Sequence, residues 1–327
     1  MRSPCRLTLV ALGFALATGV DALAGDALQP PAPLRIGVLN DAFAAHHPAV
    51  EGLKAGLREL GLEEGRDVAY EIRFTRGDPA GTREYAAAIV NARVDVIFTS
   101  GEAATRSAMA STSTIPIVFT LVRDPVVSKF VGSLAKPGGN ATGISSLTTQ
   151  LAAKRLEFLK ALAPKVRRVW AIFDASDEMA AAAVAQAQAE TSKLDVQLVP
   201  RPVADADELA RAIAGIRPGD ALLVPDGGRF DIVSALLDVS IAARFPAVFP
   251  ASLYVGYGGL VSYGSDYYAE GFQAARLVEK ILHGARPGGL PVEAAERIDL
   301  AINLETARRL GLGVPRKILL RADTIRR

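Results

Sequence analysis

Cysteine and histidine, two residue types that often serve as nucleophiles or metal ligands, are scarce in this sequence. Among its 327 residues there are one cysteine, Cys5, and three histidines. His46 and His47 are adjacent, so on a helix their side chains would point roughly 100° apart and could not easily share a metal ion. His283 falls at the end of a predicted helix, where an imidazole meets the negative end of the helix dipole. The sequence therefore predicts no metal centre and no disulfide.

Catalytic motifs are also missing, and the charge is nearly balanced. We find no Gly-x-Ser-x-Gly elbow, Walker loop, dinucleotide-binding fingerprint or His-Glu-x-x-His pair. The 37 basic residues stand against 35 acidic ones, a net charge of +2 with histidine neutral. Such a balance gives neither an electrostatic footprint for nucleic acid nor a polybasic membrane patch. We therefore expect a protein that is not an enzyme, uses no cofactor and has no nucleic-acid partner, with an exported enzyme as the remaining alternative.

The N-terminus has the three regions of an export signal. Two arginines precede an apolar run at 7–20, which is too short to span a bilayer comfortably. Ala22-Leu23-Ala24 then matches the small-x-small pattern after which signal peptidase cleaves. Cleavage there removes Cys5, and Gly25 stands where a lipoprotein would carry its cysteine. We expect residues 1–24 to be a signal peptide and the mature protein to reside in the periplasm without a lipid anchor.

Strand-like and helix-like patterns alternate along the rest of the chain. The apolar run 34–39 is typical of a buried strand, leucines at helical spacing follow at 50–60, and a second buried strand is indicated at 94–99. The same rhythm restarts after the turn cluster 136–140. This order predicts mostly parallel sheets covered by helices on both faces. About 300 residues exceed one usual hydrophobic core, so we expect two lobes.

The predicted fold class is therefore α/β, with two Rossmann-like lobes built on parallel sheets. We assign residues 25–146 and 260–290 to the first lobe, including a strand at 260–263 that returns to it. Residues 147–259 form the second lobe, and the tail 291–327 is expected to join that lobe.

Polar residues follow the predicted strands of both lobes. In open α/β sheets, ligands bind beyond the carboxyl ends of the strands, so two facing lobes would share one cleft. The residues delivered there are the candidate ligand-binding residues: Asn40, Ser100, Gly101, Glu102, Arg123, Asp124, Ser145, Ser146, Asp174, Asp177, Glu178, Asp226 and Gly227.

Several of these candidates also fit a purely structural role. Ser100 is a good helix cap, and the free N–H groups of the helix start after it could instead hold a carboxylate. Asp124 before Pro125 is an ordinary start for a turn. Asp226 precedes two glycines, as turn residues do, but it also follows a buried strand, so we place it first among the ligand-binding candidates.

Several motifs resemble one known family. They are Ile115-Pro116-Ile117-Val118-Phe119 leading to Asp124-Pro125, Lys136-Pro137-Gly138-Gly139-Asn140-Ala141-Thr142-Gly143-Ile144-Ser145, and Ile302-Asn303-Leu304-Glu305-Thr306-Ala307. The chain resembles the ABC-transporter substrate-binding proteins, in the branch related to proteins that bind tryptophan and other aromatic amino acids. The resemblance implies the type I periplasmic-binding architecture, in which three strands cross between the lobes.

The resemblance also implies a pocket and a function. The family's pocket segments match Ser100 to Ala103, Arg123-Asp124, Ser145-Ser146, Asp174 to Met179 and Asp226-Gly227, which adds Ala103 to the candidates. The aromatic-amino-acid branch has an Asn-Ser pair near Met179-Ala180 and an Asn where Gly227 stands here.

The implied function is capture of a small molecule, an amino acid or a related small organic compound, by hinge closure. A monomer would then deliver it to an ABC permease in the inner membrane. A ligand-sensing partner of a membrane receptor is the alternative that the sequence barely separates from transport. A sugar-repressor-like regulator would need a helix-turn-helix where this chain has its signal peptide.

Overall fold

The computed structural model describes residues 32–40, 47–75, 78–146, 151–227 and 232–327. The predicted signal peptide at 1–24 lies outside these ranges.

The first sheet has six strands, and all of their pairings are parallel. In chain order the strands are β1 (Leu34–Asn40), β2 (Val68–Phe74), β3 (Val96–Ser100), β4 (Ile117–Val122), β5 (Ala141–Ser145) and β11 (Glu293–Ala294). Across the sheet their order is β11-β5-β4-β3-β1-β2. The helices associated with it are α1 (Pro48–Glu59), α2 (Pro79–Asn91), α3 (Glu102–Ser111) and α10 (Tyr267–Leu282).

The second sheet has seven strands in the order β13-β12-β10-β9-β8-β6-β7. Their bounds are β6 (Arg168–Asp174), β7 (Gln197–Val203), β8 (Ala221–Leu223), β9 (Ala247–Phe249), β10 (Val261–Ser265), β12 (Ile298–Asn303) and β13 (Thr324–Arg326). The helices in this part of the chain are α4 (Ala152–Leu162), α5 (Glu178–Ala189), α6 (Thr191–Leu194), α7 (Ala206–Ala214), α8 (Ile232–Ala242), α9 (Ser252–Gly256), α11 (Leu304–Arg309) and α12 (Arg316–Leu319). Among the strands that the structure describes, only β10 and β12 pair antiparallel. Two mostly parallel sheets with interleaved helices confirm the predicted α/β class.

Helix α10 returns to the first lobe and packs against α1 almost backbone to backbone. A Cβ added at Gly52 would lie 2.0 Å from the carbonyl oxygen of Tyr268, and one added at Gly271 would lie 1.9 Å from that of Ala49. Each glycine is therefore required by the approach of the other helix. Asp266 begins α10, because its carboxylate accepts the N–H groups of Tyr268 and Ala269.

One detail of the predicted lobe boundaries is wrong, and a second is only partly right. The strand assigned to the first lobe at 260–263 is β10, which pairs with β9 and β12 in the second sheet. The chain crosses only after this strand, so α10 returns and β10 does not. The tail 291–327 was expected to join the second lobe, and its strands β12 and β13 do lie in the second sheet, but its start, Glu293–Ala294, pairs with β5 in the first sheet. A strand's own residues show that it is a strand but not which neighbour it will pair with.

Three connections therefore join the lobes. They run from β5 to α4, from β10 to α10 and from β11 to β12. Of the helices that the structure describes, none is long and apolar enough to cross a membrane.

Candidate functional site

Arg123, at the end of β4 in the first lobe, reaches across to the second lobe. Its Nε lies 3.1 Å from an oxygen of Glu102 in its own lobe. Its Nη1 lies 2.9 Å from Oδ2 of Asp177 and donates to the carbonyl oxygen of Asp226 at 2.9 Å. Burial works to lower the pKa of Arg123, but the carboxylates of Glu102, Asp226 and Asp177 outweigh it and raise this pKa above its ordinary value. A cation from one lobe thus joins three acidic residues from both.

Asp177 is held in place by the helix that it begins. Its Oδ1 accepts the N–H of Ala180 at 2.9 Å, as an N-cap does, and the same carboxylate binds Arg123. The Asp177 and Arg123 side chains are each 9% exposed. An ion pair so far from solvent is screened little by salt.

Gly227 leaves the space that the Arg123 guanidinium fills. A Cβ at this position would lie 2.8 Å from Cζ and Nη1 of Arg123 and from Oδ2 of Asp177. Its φ of +93° is also one that glycine adopts readily. A side chain at Gly227 is therefore incompatible with the bridge between the lobes.

Asp226 interacts electrostatically with four buried or half-buried ionisable residues. Its carboxylate acts electrostatically on Arg123, Arg155, Tyr267 and Glu270. Arg123, Tyr267 and Glu270 belong to the first lobe, whereas Arg155 belongs to the second. The residue that the sequence placed first is thus within electrostatic reach of both lobes.

Glu270 lies where the connections between the lobes meet the first sheet. Its Oε2 accepts the N–H of Leu121 at 2.9 Å, at an irregular point of β4 where Leu121 has a φ of +56°. The hydroxyls of Ser146, directly after β5, and of Ser265, the last residue of β10, approach this carboxylate without full hydrogen-bond geometry. Burial raises the pKa of Glu270 to about 7, against the lowering effect of these donors.

Arg155, Tyr267 and Glu270 were missed by the sequence analysis, although a weak signal exists. Arg155 falls on the same helical face as the buried Ala152, Leu156 and Leu159. Glu270 shares a face of α10 with Ala274 in the same way. Each is a charged residue three or four positions from apolar residues on the same face of a helix. This spacing predicts burial and could have identified both.

Other candidates have local roles. Asp124 accepts the N–H groups of Val126 and Val127, so the turn alternative describes its contacts. Asp174 accepts both the N–H and the hydroxyl of Ser176. Ser145 donates its hydroxyl to the carbonyl of Arg123 at 3.1 Å and so supports the bridge. Glu178 lies exposed in the first turn of α5.

The candidates around α3 differ from the expectation in one respect. Asn40 and Ser100 are buried neighbours at the ends of β1 and β3. Gly101, not Ser100, occupies the N-cap position of α3, and its N–H is already bonded to the carbonyl of Thr120. Ala103 is exposed on the first turn of that helix. The N–H of Gly101 is therefore not available to a carboxylate, because the strand ladder uses it.

No group of three or more histidine, cysteine or acidic residues within the described ranges could hold a metal ion.

The family of this chain follows from a sequence comparison. The profile of the family described as ABC transporter substrate binding protein matches residues 41–326. The chain belongs to this family. The predicted resemblance is thereby confirmed, and membership gives the chain a solute-binding role.

Three proteins that are similar to this chain agree with the family assignment. A tyrosine-binding protein of Clostridioides difficile (strain R20291) is 28% identical over 274 residues, which cover 81% of this chain and 78% of that protein. A conserved domain protein of Vibrio cholerae has a crystal structure that is 29% identical, with a TM-score of 0.76, covering 90% of this chain and 99% of that one. A Streptococcus pneumoniae ABC domain in complex with L-Trp is 24% identical, with a TM-score of 0.78 and the same coverage, and supports the fold.

Proposed function

We propose that this chain is an extracytoplasmic solute-binding protein. It captures a small amino-acid-like molecule in the cleft between its lobes by hinge closure, and as a monomer delivers it to an ABC permease in the inner membrane. The observation that carries this proposal is the bridge from Arg123 to Asp177 and to the carbonyl of Asp226, because such contacts require the two lobes to be close together. A solute that contacts both lobes stabilises the closed state by its greater affinity for that state.

The solute class is supported by the relatives and by the charges in the cleft. One relative is a tyrosine-binding protein, and a structural neighbour holds L-Trp. The cleft of this chain offers both a cation and an anion, Arg155 and Asp226, to a molecule that carries both charges.

A thermal-shift screen combined with small-angle scattering tests the function. L-tyrosine, L-tryptophan, aliphatic amino acids, short peptides and aromatic acids are screened for a rise in melting temperature. A solute at about 100 times its Kd should add roughly 2.7 kcal/mol to the free energy of unfolding. The same solute should reduce the radius of gyration and be recovered chemically unchanged. Absence of a shift with every solute, or conversion of the solute at catalytic turnover, contradicts the proposal.

Location and delivery need separate tests. The protein from an osmotic-shock fraction should have the intact mass of a chain that starts at Gly25. A mass that still includes residues 1–24 contradicts the proposed export signal.

Uptake of the bound solute should be lost when either this protein or the permease is deleted. If uptake persists while a transcriptional response to the solute disappears, the protein serves a membrane receptor instead.

A further inference from the structure

Arg155 is a fully buried cation without a carboxylate partner. Its side chain lies in α4, and the whole residue is 1% exposed. Nε donates to the carbonyl of Tyr263 at 2.7 Å, and Nη2 lies 3.5 Å from the carbonyl of Pro250. A guanidinium has five N–H donors, so most of the hydrogen-bonding capacity of Arg155 is unused by the residues that the structure describes.

Arg123, by contrast, is a buried arginine whose positive charge is compensated by carboxylates. It has salt bridges to Glu102 and Asp177. Among the described residues no acidic oxygen lies within 4.0 Å of the Arg155 guanidinium, although Asp226 acts on it from farther away. Burial accordingly lowers the pKa of Arg155 to about 10, which still leaves it charged at neutral pH. A buried charge without a partner is costly, and it persists where a ligand supplies the partner.

The guanidinium lies near the carboxyl end of one strand of the second sheet. Pro250 directly follows β9, at the end of a parallel-sheet strand where ligands of α/β folds bind, and Tyr263 lies two residues before the end of β10. Its electrostatic neighbours are Asp226, just after β8, and Tyr267, the first residue of α10 in the first lobe. Arg155 itself is in the first turn of α4, the helix that follows the connection from the first lobe.

We propose that Arg155 binds the carboxylate of the solute. The planar guanidinium offers parallel N–H donors that match the two oxygens of a carboxylate. Its carbonyl partners occupy the N–H of Nε and one N–H of Nη2, which leaves Nη1 and the second N–H of Nη2 for the ligand. Asp226, of opposite charge, then receives the ammonium end, so the two residues fix the orientation of a zwitterion. This assignment rests on the proposed solute-binding function and names the group of the solute that Arg155 recognises.

Calorimetry with matched probes tests the assignment. L-tyrosine is compared with tyramine, which lacks the carboxylate, and with 3-(4-hydroxyphenyl)propionate, which lacks the ammonium group. The wild type should bind L-tyrosine at least about 100-fold more tightly than tyramine, because tyramine leaves Arg155 without a partner. In Arg155→Met this ratio should fall below about tenfold. Arg155→Lys keeps the charge but not the fork, and should give an intermediate ratio.

The ratio separates recognition from a merely structural role. If Arg155 only ties Pro250 to Tyr263, its substitution weakens all three probes equally and leaves the ratio unchanged, which overturns the assignment. Arg201→Met is the control, because Arg201 is an exposed arginine of the same lobe. Should Arg155→Met fail to fold, Arg155→Lys gives the same comparison.

The outcome for the wild type distinguishes this assignment from the function on which it rests. Equal affinity for L-tyrosine and tyramine, or binding only of solutes without a carboxylate in the wider screen, overturns the role of Arg155 and leaves solute binding intact. If no solute binds at all, the proposed function fails and the assignment fails with it.

Discussion

Oδ2 of Asp177 lies 2.9 Å from Nη1 of Arg123, and this one contact joins the start of a helix in the second lobe to the end of a strand in the first. The two residues are 54 positions apart in the chain. Both side chains are largely buried, and Glu102 forms a second salt bridge with Arg123 through its Nε. We interpret the bridge as a contact of the closed state, because opening of the cleft would separate its two sides.

Asp177→Asn should weaken solute binding without unfolding the protein. Asparagine is as good an N-cap as aspartate, so α5 keeps its start, while the ion pair to Arg123 is lost. We expect about a tenfold loss of affinity, or 1.4 kcal/mol, with nearly the same melting temperature for the solute-free protein. Calorimetry measures the affinity, and Asp207→Asn, at an exposed position in the first turn of α7, is the control. Unchanged affinity in Asp177→Asn would show that the bridge does not contribute to closure.

Gly227→Ala should break the same bridge from the other side. The new Cβ would lie 2.8 Å from both Arg123 and Asp177. Gly219 provides a matched control, since it has the same φ of +93° but no atom within 4 Å of an added Cβ. Both alanine variants should lose on the order of 1–2 kcal/mol of stability from backbone strain. Only Gly227→Ala should also lose solute affinity, measured by calorimetry, and an equal loss in the two variants would assign the effect to strain alone.

Asp226→Ala should weaken binding of the solute at least ~10-fold, about 1.4 kcal/mol. A carboxylate only accepts hydrogen bonds, so it suits an ammonium or hydroxyl group, and its removal leaves that donor unsatisfied. The melting temperature of the solute-free protein should change little. Asp238→Ala, at an exposed position of α8, is the control in the same calorimetric titration. Wild-type affinity, or a collapse of stability without solute, would instead identify Asp226 as a turn residue.

Glu270→Gln should stabilise the protein at alkaline pH. Burial raises the pKa of Glu270 from 4.5 to about 7, so the folded protein binds this proton more tightly than the unfolded chain does. Its contribution to stability is therefore fully present below pH 4.5 and is lost as the pH rises through about 7. The difference is roughly 3 kcal/mol. The gain of Glu270→Gln over the wild type should grow between pH 5 and pH 8 in urea unfolding, and a pH-independent difference would contradict it.

His47→Asn should act in the opposite direction over almost the same pH range. Burial lowers the pKa of His47 from 6.5 to about 4, so the unfolded chain takes up its proton first. Stability from this group is present above pH 6.5 and is lost as the pH falls through about 4. Asparagine keeps the capping acceptor at the start of α1. We expect the variant to lose less stability on acidification than the wild type, as measured by urea unfolding at pH 4.5 and 7.

Much of the architecture could be predicted because it depends on local patterns. Alternating strand and helix periodicity indicates two α/β halves, and parallel sheets collect polar residues at the carboxyl ends of their strands. Arg123, Asp177 and Asp226 were all found in this way. The partners of these residues could not be predicted, because strand ends on different sheets are brought together only when the lobes pack.

The errors have the same origin. β10 has the pattern of a buried strand in either sheet, and only the neighbours β9 and β12 place it in the second. Ser100 has the residue type of a helix cap, but Gly101 occupies the N-cap position of α3, and its N–H is bonded to the carbonyl of Thr120 in the adjacent strand.

The sequence by itself determined the family, the α/β class and the position of Asp226 after a buried strand, since each depends on residues close together in the chain. Only the tertiary structure decided that Arg123 and Asp177 pair across the cleft, and that the side chains of Arg155 and Glu270 are buried. The physical reason is burial. The pKa and the hydrogen-bonding needs of a side chain depend on what surrounds it, and those surroundings come from distant segments of the chain.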